Sequence, residues 1–448
     1  MEKKLTRANA LFIGSMLFGM LFGAGNLIFP VHMGQLAGSN FWSANWGFIF
    51  TGVFMPFFAL LAIGLTGSSG VEELAGNVHP IFARIFTILL YLTIGPAFAL
   101  PRTATVSFQI GVVPFLGSTN PTVALAVFTF VFMAVALAFA LKPSKLIVYI
   151  GKWLNPAFLT FLCLLVLAAL LHPMGSVAMI APQGDYSGHA FLTGFKEGYN
   201  TMDVLAMLAF SVIVVDTMHN LGVTDRKTVS RDIIKVGVIV VILMSLIYIM
   251  ITWLGTSSMG KLALSANGGI ALAQIAQYYF GPLGGLLQAV IVTLACLKTA
   301  IGLISACSDT FAEFFPMSLG YKGWCVAFAV IAFLVGNVGL TQIIVLAIPI
   351  LMFLYPLAIT LILSSFARAL FGQSKRLYRW PMVLAGIAAF GDALSALPQG
   401  LANSPLVLQI LGYYKILPLF SLGMGWVVPT FVALLLAIIS VKLVGDRA

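Results

Sequence analysis

"LFGMLFGAGNLIFP", residues 17–30, lies inside the first long apolar stretch of the chain yet holds Gly19, Gly23, Gly25, Asn26 and Pro30. Glycine tolerates non-helical backbone, and proline removes an amide donor from the helical ladder. Asn26 brings the only polar side chain of the stretch. A helix interrupted in this way leaves backbone groups without partners. In a bilayer such groups are tolerated only where protein or a cavity surrounds them. The stretch therefore predicts a broken membrane helix whose freed backbone serves a site.

The remaining sequence supports a membrane setting. The 448 residues are 61% hydrophobic and 8% charged, with a mean hydropathy of +1.07, whereas roughly a quarter of residues are charged in a soluble domain. Apolar runs of about 20 residues, enough to cross about 30 Å of hydrocarbon, recur to the end of the chain. They give twelve candidate spans, at 8–33, 41–66, 81–111, 122–141, 145–171, 199–220, 232–256, 283–315, 321–339, 341–371, 380–400 and 418–443. Long runs of this kind mean helices, since barrel strands are short and alternating. The expected fold is an all-α integral membrane protein with no separate soluble domain.

The net charge of +10 follows topology. Lys3, Lys4 and Arg7 precede the first span. Lys142, Lys145 and Lys152, then Arg226, Lys227, Arg231 and Lys235, then Arg368, Lys375, Arg376 and Arg379 fall on the same side. The alternate loops, including 172–198 and 257–282, hold Lys196, Lys261 and Lys415. The positive-inside rule then puts both termini in the cytoplasm. A basic balance explained by topology gives no reason to invoke a nucleic-acid partner; the expected surroundings are the lipid bilayer. Cys163, Cys296, Cys307 and Cys325 all fall in apolar spans and read as core residues rather than a disulfide or metal set.

If span one breaks for function, a transporter built on inverted repeats predicts a second break five spans later. "GYNTMDVLAMLAFSVIVV" (198–215) is the candidate, with Asp203 at the start of the apolar run. Taken alone it reads as an intact helix with an acidic cap. Two further segments carry buried charges: "IGPAFALPRTATVSF" (94–108), with Arg102 beside Pro96 and Pro101, and "LACLKTAIGLISAC" (294–307), with Lys298 about 14 residues into its apolar run.

Together with "GAGNLIFP", these segments resemble the branched-chain amino acid:cation symporter family, the BrnQ type, over essentially the whole chain. The resemblance implies the leucine-transporter-like fold of the amino acid-polyamine-organocation superfamily. That fold would make residues 1–448 a single transmembrane transporter domain, with five-helix repeats at 8–171 and 199–371 of inverted topology. Helices one and six would be discontinuous, and 380–443 would add two accessory helices. The implied activity is import of leucine, isoleucine and valine by alternating access across a bacterial plasma membrane, with no cofactor beyond a coupling ion, proton or sodium.

By the same resemblance, backbone at Phe22, Gly23, Ala24, Gly25 and Asn26 and at Ala206, Met207, Leu208, Ala209 and Phe210 holds the substrate, with Met207, Leu208 and Phe210 forming an apolar wall. The coupling ion falls to Gly19, Phe22, Ala295, Lys298 and Thr299. Lys298 and Thr299 occupy positions where related sodium-coupled carriers place hydroxyls, so an ammonium replacing the ion would make the proton the coupling species. Arg102 either satisfies carbonyls freed by its neighbouring prolines or serves substrate and gating. Asp203, Asp309 and Asp392 are candidate counter-ions, and His32 a polar cap.

Other classes fit less well. No HExxH, GxSxG, P-loop or paired in-span carboxylate motif supports an enzyme, and twelve dissimilar spans do not suit a channel built by repeating one pore element. A carrier of the same fold for another neutral amino acid or a nucleobase is the alternative. Nothing in the sequence sets an oligomeric state.

Overall fold

A computed structural model describes residues 5–117, 120–142, 145–223 and 226–444. Lys3 and Lys4, and the side chains of Arg7, Lys145, Lys152, Arg226 and Lys227, lie outside that description. Every regular element among the described residues is helical. Six helices are both long and apolar enough to cross a bilayer, seven if the bent helix Asp203–Asn220 is included. Helix coincides with each expected span, and three long-range contacts tie the outer elements together. Leu5 donates its N–H to Asp232, Arg368 bonds Asn77, and Arg376 bonds Ser440 on the last helix.

The first span is two helices, Arg7–Leu21 and Ala24–Ala37, separated at Phe22 and Gly23. Pro30 does not break the chain; it is accommodated inside Ala24–Ala37, and neighbouring protein packs against that half-helix. The neighbour is the helix Arg226–Ser258, which packs along this half-helix. Contact there is backbone to backbone. A Cβ added at Gly34 would stand 2.1 Å from the Thr252 carbonyl oxygen, and one at Gly255 would stand 2.0 Å from that of Val31. Small residues permit this approach, and hydroxyls fasten it: Thr256 donates to the Gly34 carbonyl at 2.7 Å and Thr252 to Asn45 at 2.9 Å.

The region 172–198, expected to be a loop, contains the helix Tyr186–Glu197. It packs against Phe41–Ile49 through Gly47 and Gly194, where an added Cβ would in each case stand 1.9 Å from a carbonyl oxygen of the other helix. A turn at Gly198–Thr201 follows, then Met202 in the left-handed region (φ 62°), then Asp203–Asn220. The second broken element therefore begins at Tyr186 rather than at residue 199. His189, Lys196 and Glu197 dilute its apolar signal, and half a span needs only half the apolar length. Beyond the break, Asp203–Asn220 bends by 48° between Ser211 and Ile213. Ser211 donates to the carbonyl of Leu208 there at 2.9 Å, the kind of back-bond that bends helices.

The region 257–282 also holds helix. Gly268–Phe314 runs continuously apart from a kink at Gly281, whose φ of 61° no other residue type adopts readily. Its longer part packs on Ala99–Gly111. Cys296, Cys307 and Cys325 are buried as expected, but Cys163 is exposed. Asp392, buried in the helix Arg376–Ser395, accepts from the N–H groups of Gly425 and Trp426 at 3.0 Å each. It anchors the start of the last helix and lies within electrostatic reach of Lys196.

Gly34→Val and Gly255→Val are each expected to lower the unfolding free energy by ~1–3 kcal/mol through overpacking, read as thermal unfolding of the purified protein. Gly302→Ala, with nothing within 4 Å of the added carbon, is expected to leave it unchanged or raise it by up to ~1 kcal/mol.

Candidate functional site

Gly23 ends the helical ladder of the first half-span by sending its N–H to the Asn26 side-chain oxygen at 2.9 Å, instead of back to Gly19. The other end of the same amide reaches the second break: Nδ2 donates to Asp203 Oδ2 at 2.7 Å and to the Tyr248 hydroxyl oxygen at 2.5 Å. Tyr248 in turn donates to Asp203 Oδ2 at 3.2 Å. Asn26 and Asp203 are each 2% exposed. One buried amide thus joins both helix breaks to the helix Arg226–Ser258. Asp203 also opens the helix Asp203–Asn220, where a carboxylate suits the positive end of the helix dipole.

Arg102 reaches across to the second break. Its guanidinium donates to the carbonyls of Asn200 at 2.6 Å and Thr201 at 3.4 Å. Those carbonyls belong to the turn before Asp203, not to the stretch its own prolines disturb. It is 5% exposed, lies over the Phe29 ring at 5.1 Å, and is within electrostatic reach of Asp203. Gly25 makes room for it, since a Cβ there would stand 2.9 Å from its Nη2.

A cavity of about 50 Å³ lies where these elements meet. Of the residues expected at the site, Gly23, Ala24, Gly25, Asn26, Arg102, Asp203, Ala206, Phe210 and Thr299 line it. Met207, Leu208 and Ala209 do not. Backbone from 206 to 210 is helical rather than unwound, so Ala206 and Phe210, four apart, share the cavity face while the residues between them turn away. Met207 faces a gap lined by Leu17 and Val240, Leu208 is fully buried, and Ala209 lines a different cavity. The unwound stretch is Gly198–Met202, where Thr201 and Met202 join the lining. Thr299 approaches the first break, its hydroxyl 3.8 Å from where a Gly23 Cβ would lie, and donates to the Ala295 carbonyl at 3.1 Å. Thr299 lines the cavity; Lys298, Ala295, Gly19 and Phe22 do not.

Tyr248 was not legible as a site residue, although a tyrosine amid "VILMSLIYIMITWLG" (241–255) is a polar group that hydrocarbon would not hold unpaired. His32 pairs with the Ser265 carbonyl at 3.0 Å, a structural contact in keeping with a polar cap. Two larger cavities flank the central one. On one face, about 620 Å³ opens beside Tyr91, Asp309 and Phe210. Phe210 lines both this cavity and the central one, and the Tyr91 hydroxyl donates beside it to the Ala209 carbonyl at 3.3 Å. On the opposite face, about 430 Å³ opens beside Asn200, whose carbonyl holds Arg102.

A family model described as "Branched-chain amino acid transport protein" matches residues 6–444. The chain belongs to this family. It is 44% identical to the branched-chain amino acid permease BrnQ of Lactobacillus delbrueckii subsp. lactis, over 99% of this chain and 98% of that one. To BrnQ of Bacillus subtilis it is 40% identical over 96% of each. Among solved structures, the nucleobase-cation-symport-1 transporter Mhp1, closed with bromovinylhydantoin bound, aligns with a TM-score of 0.59 at 17% identity, covering 97% of this chain and 92% of that one. MhsT in complex with L-phenylalanine aligns at 0.56 and 16%, covering 99% and 100%. The chain is therefore a multi-pass membrane transporter by family, not an enzyme, and its fold is like that of Mhp1 and MhsT.

Asn26→Ala and Tyr248→Phe are each expected to cost ~1–3 kcal/mol of stability by stripping a partner from a buried polar group. The double variant should lose less than the sum, with a coupling of ~0.5–3 kcal/mol in thermal or denaturant unfolding. Additive losses would mean that the two residues are not joined.

Proposed function

We propose that this protein imports leucine, isoleucine and valine across the plasma membrane by alternating access, in symport with a cation. The observation that carries the reading is the cavity at the meeting of two helix breaks, lined by Gly23–Asn26 on one side and Thr201–Asp203 on the other. A free amino acid is a zwitterion and is costly to hold at mid-membrane without partners. The N–H groups of Ala24 and Gly25, first in their helix, suit its carboxylate. Asp203 and carbonyls at the end of Arg7–Leu21 suit its ammonium. Ala206, Phe210, Ile94 and Leu303 offer an apolar wall. Such a wall separates single methylenes by only ~1–3 kcal/mol, so one carrier serves all three substrates.

The full architecture in this reading is twelve spans with both termini cytoplasmic. Inverted five-helix repeats are broken at Phe22–Gly23 and at Met202, the second repeat starting at Tyr186, and two helices follow. Sodium is the coupling ion we favour over the proton. Gly19, Phe22 and Ala295 can contribute carbonyls and Thr299 a hydroxyl, the oxygen donors of unwound helices that bind sodium in such folds. Lys298, beside Thr299 but off the cavity, is the group that proton coupling would use.

Labelled-leucine uptake into proteoliposomes tests this, with sodium and proton gradients imposed separately at clamped membrane potential. Uptake should follow sodium, isoleucine and valine should compete, and Thr299→Val should cut sodium-driven uptake at least tenfold while Lys298→Gln does not. Uptake driven by protons without sodium and abolished by Lys298→Gln would reverse the ion assignment. Absence of competition among the three amino acids would overturn the substrate assignment.

A further inference from the structure

Several elements meet at the turn 372–374, which joins Leu340–Phe371 to Arg376–Ser395. From one side of it Arg368 reaches Asn77 and Gln373, and from the other Arg379 donates Nε to the Val78 carbonyl at 3.0 Å. Both arginines thus touch the link before the helix Pro80–Leu92. Arg376 bonds Ser440 of the last helix, and the Lys442 ammonium lies over the Phe371 ring at 5.2 Å. Lys375, at the start of Arg376–Ser395, is exposed. Arg368, Arg379 and Lys442 are held by neutral groups, and neither they nor Lys375 form an ion pair with a described carboxylate. Glu73, one turn before Asn77, accepts from the N–H and hydroxyl of Ser69.

Such a cluster carries a cost. Lys375 and Arg379 stand four apart, a spacing at which like charges on a helix repel. The first turn of Arg376–Ser395 holds no acidic residue, so its cations also sit at the end where the helix dipole opposes them. An anion among them would relieve both effects. Donors remain for it, since Arg379 spends only Nε on Val78, and Arg368 spends Nε and Nη1.

The surface beside the cluster selects the kind of anion. Trp380, Val383, Leu384 and Ile387 follow the cations at helical spacing, all exposed on one face of Arg376–Ser395. Leu436, Ile439 and Leu443 form a matching exposed face on Val427–Val444, which packs on the first helix through Leu377 and Ala437. Two apolar ridges therefore run side by side away from the charges. Trp380 stands where they begin, as tryptophans do at a membrane interface. A soluble anion would use the charges and leave the ridges bare; a phospholipid with an anionic head uses both.

We propose that the turn 372–374 and the paired helices beside it bind an anionic phospholipid. Lys375, Arg379 and Lys442 take the phosphate, and an acyl chain lies along the ridges of Arg376–Ser395 and Val427–Val444. Because Arg379 also holds Val78 and Arg376 holds Ser440, the headgroup ties the last helix pair to the link before Pro80–Leu92. Nothing in this site depends on which solute the central cavity carries.

Native mass spectrometry of the full-length protein, released from nanodiscs of equal phosphatidylglycerol and phosphatidylcholine, tests the proposal. The native chain should retain phosphatidylglycerol in preference to phosphatidylcholine. Lys375→Gln/Lys442→Gln, which removes two exposed charges, should retain about tenfold less of it. Lys261→Gln/Lys415→Gln, at exposed lysines elsewhere on the chain, should retain the native amount. Inorganic phosphate should not displace the lipid. Equal retention of the two lipids, or native retention by Lys375→Gln/Lys442→Gln, would overturn the site. Displacement by inorganic phosphate would overturn the lipid assignment and leave a site for free phosphate.

Discussion

A single primary amide holds the centre of this molecule. Asn26 accepts from Gly23, donates to Asp203 and to Tyr248, and so spends its groups on the three elements that meet at mid-membrane. Two interrupted helices would otherwise present backbone groups to one another across hydrocarbon, at several kcal/mol for each group left unpaired. The amide settles the first break, and Arg102 settles the second by covering the carbonyls of Asn200 and Thr201. What remains between them is a small polar cavity with one apolar side. The site is thus the residue of an accounting in which most freed backbone already has a partner.

The first break was legible because its causes are local. Gly23 and Asn26 disturb a helix wherever they occur together, and no tertiary information is needed to see it. The second was legible only in part. Its turning point is Met202, a residue with no preference for positive φ, and its first half carries His189, Lys196 and Glu197, which lower hydropathy below that of a span. Tertiary packing imposes that conformation, through Gly47 and Gly194 and through Arg102. The same limit explains why the wall was overdrawn to include Met207 and Leu208: which of five neighbouring residues face a cavity depends on whether the backbone there is helical or unwound. Arg102 was flagged as a buried charge from sequence, but its partners lie 98 and 99 positions away, beyond what its own prolines could suggest.

Charge placement follows a similar division of labour. Asp203 and Arg102 are at the centre, bonded to Asn26 and Tyr248 and to the carbonyls of Asn200 and Thr201, whereas Asp392 is committed to two backbone amides at the start of the last helix. A carboxylate inside a span invites a transport role; among the described residues Asp203, Asp232 and Asp392 are buried in the expected spans, and Asp392 is a fastening. The distinction rests on what each oxygen accepts from, and it could not be drawn from position along the chain.

The glycine contacts carry a mechanical consequence. Ala24–Ala37 meets Arg226–Ser258 at Gly34 and Gly255, and Phe41–Ile49 meets Tyr186–Glu197 at Gly47 and Gly194, in each case with one helix's carbonyl where a methyl group would sit on the other. Helices interlocked at that distance cannot slide past one another without first separating. Each pair is then expected to move as a unit. A rocking movement would then hinge where the helices are interrupted, at Phe22–Gly23 and Gly198–Met202, the segments that border the central cavity.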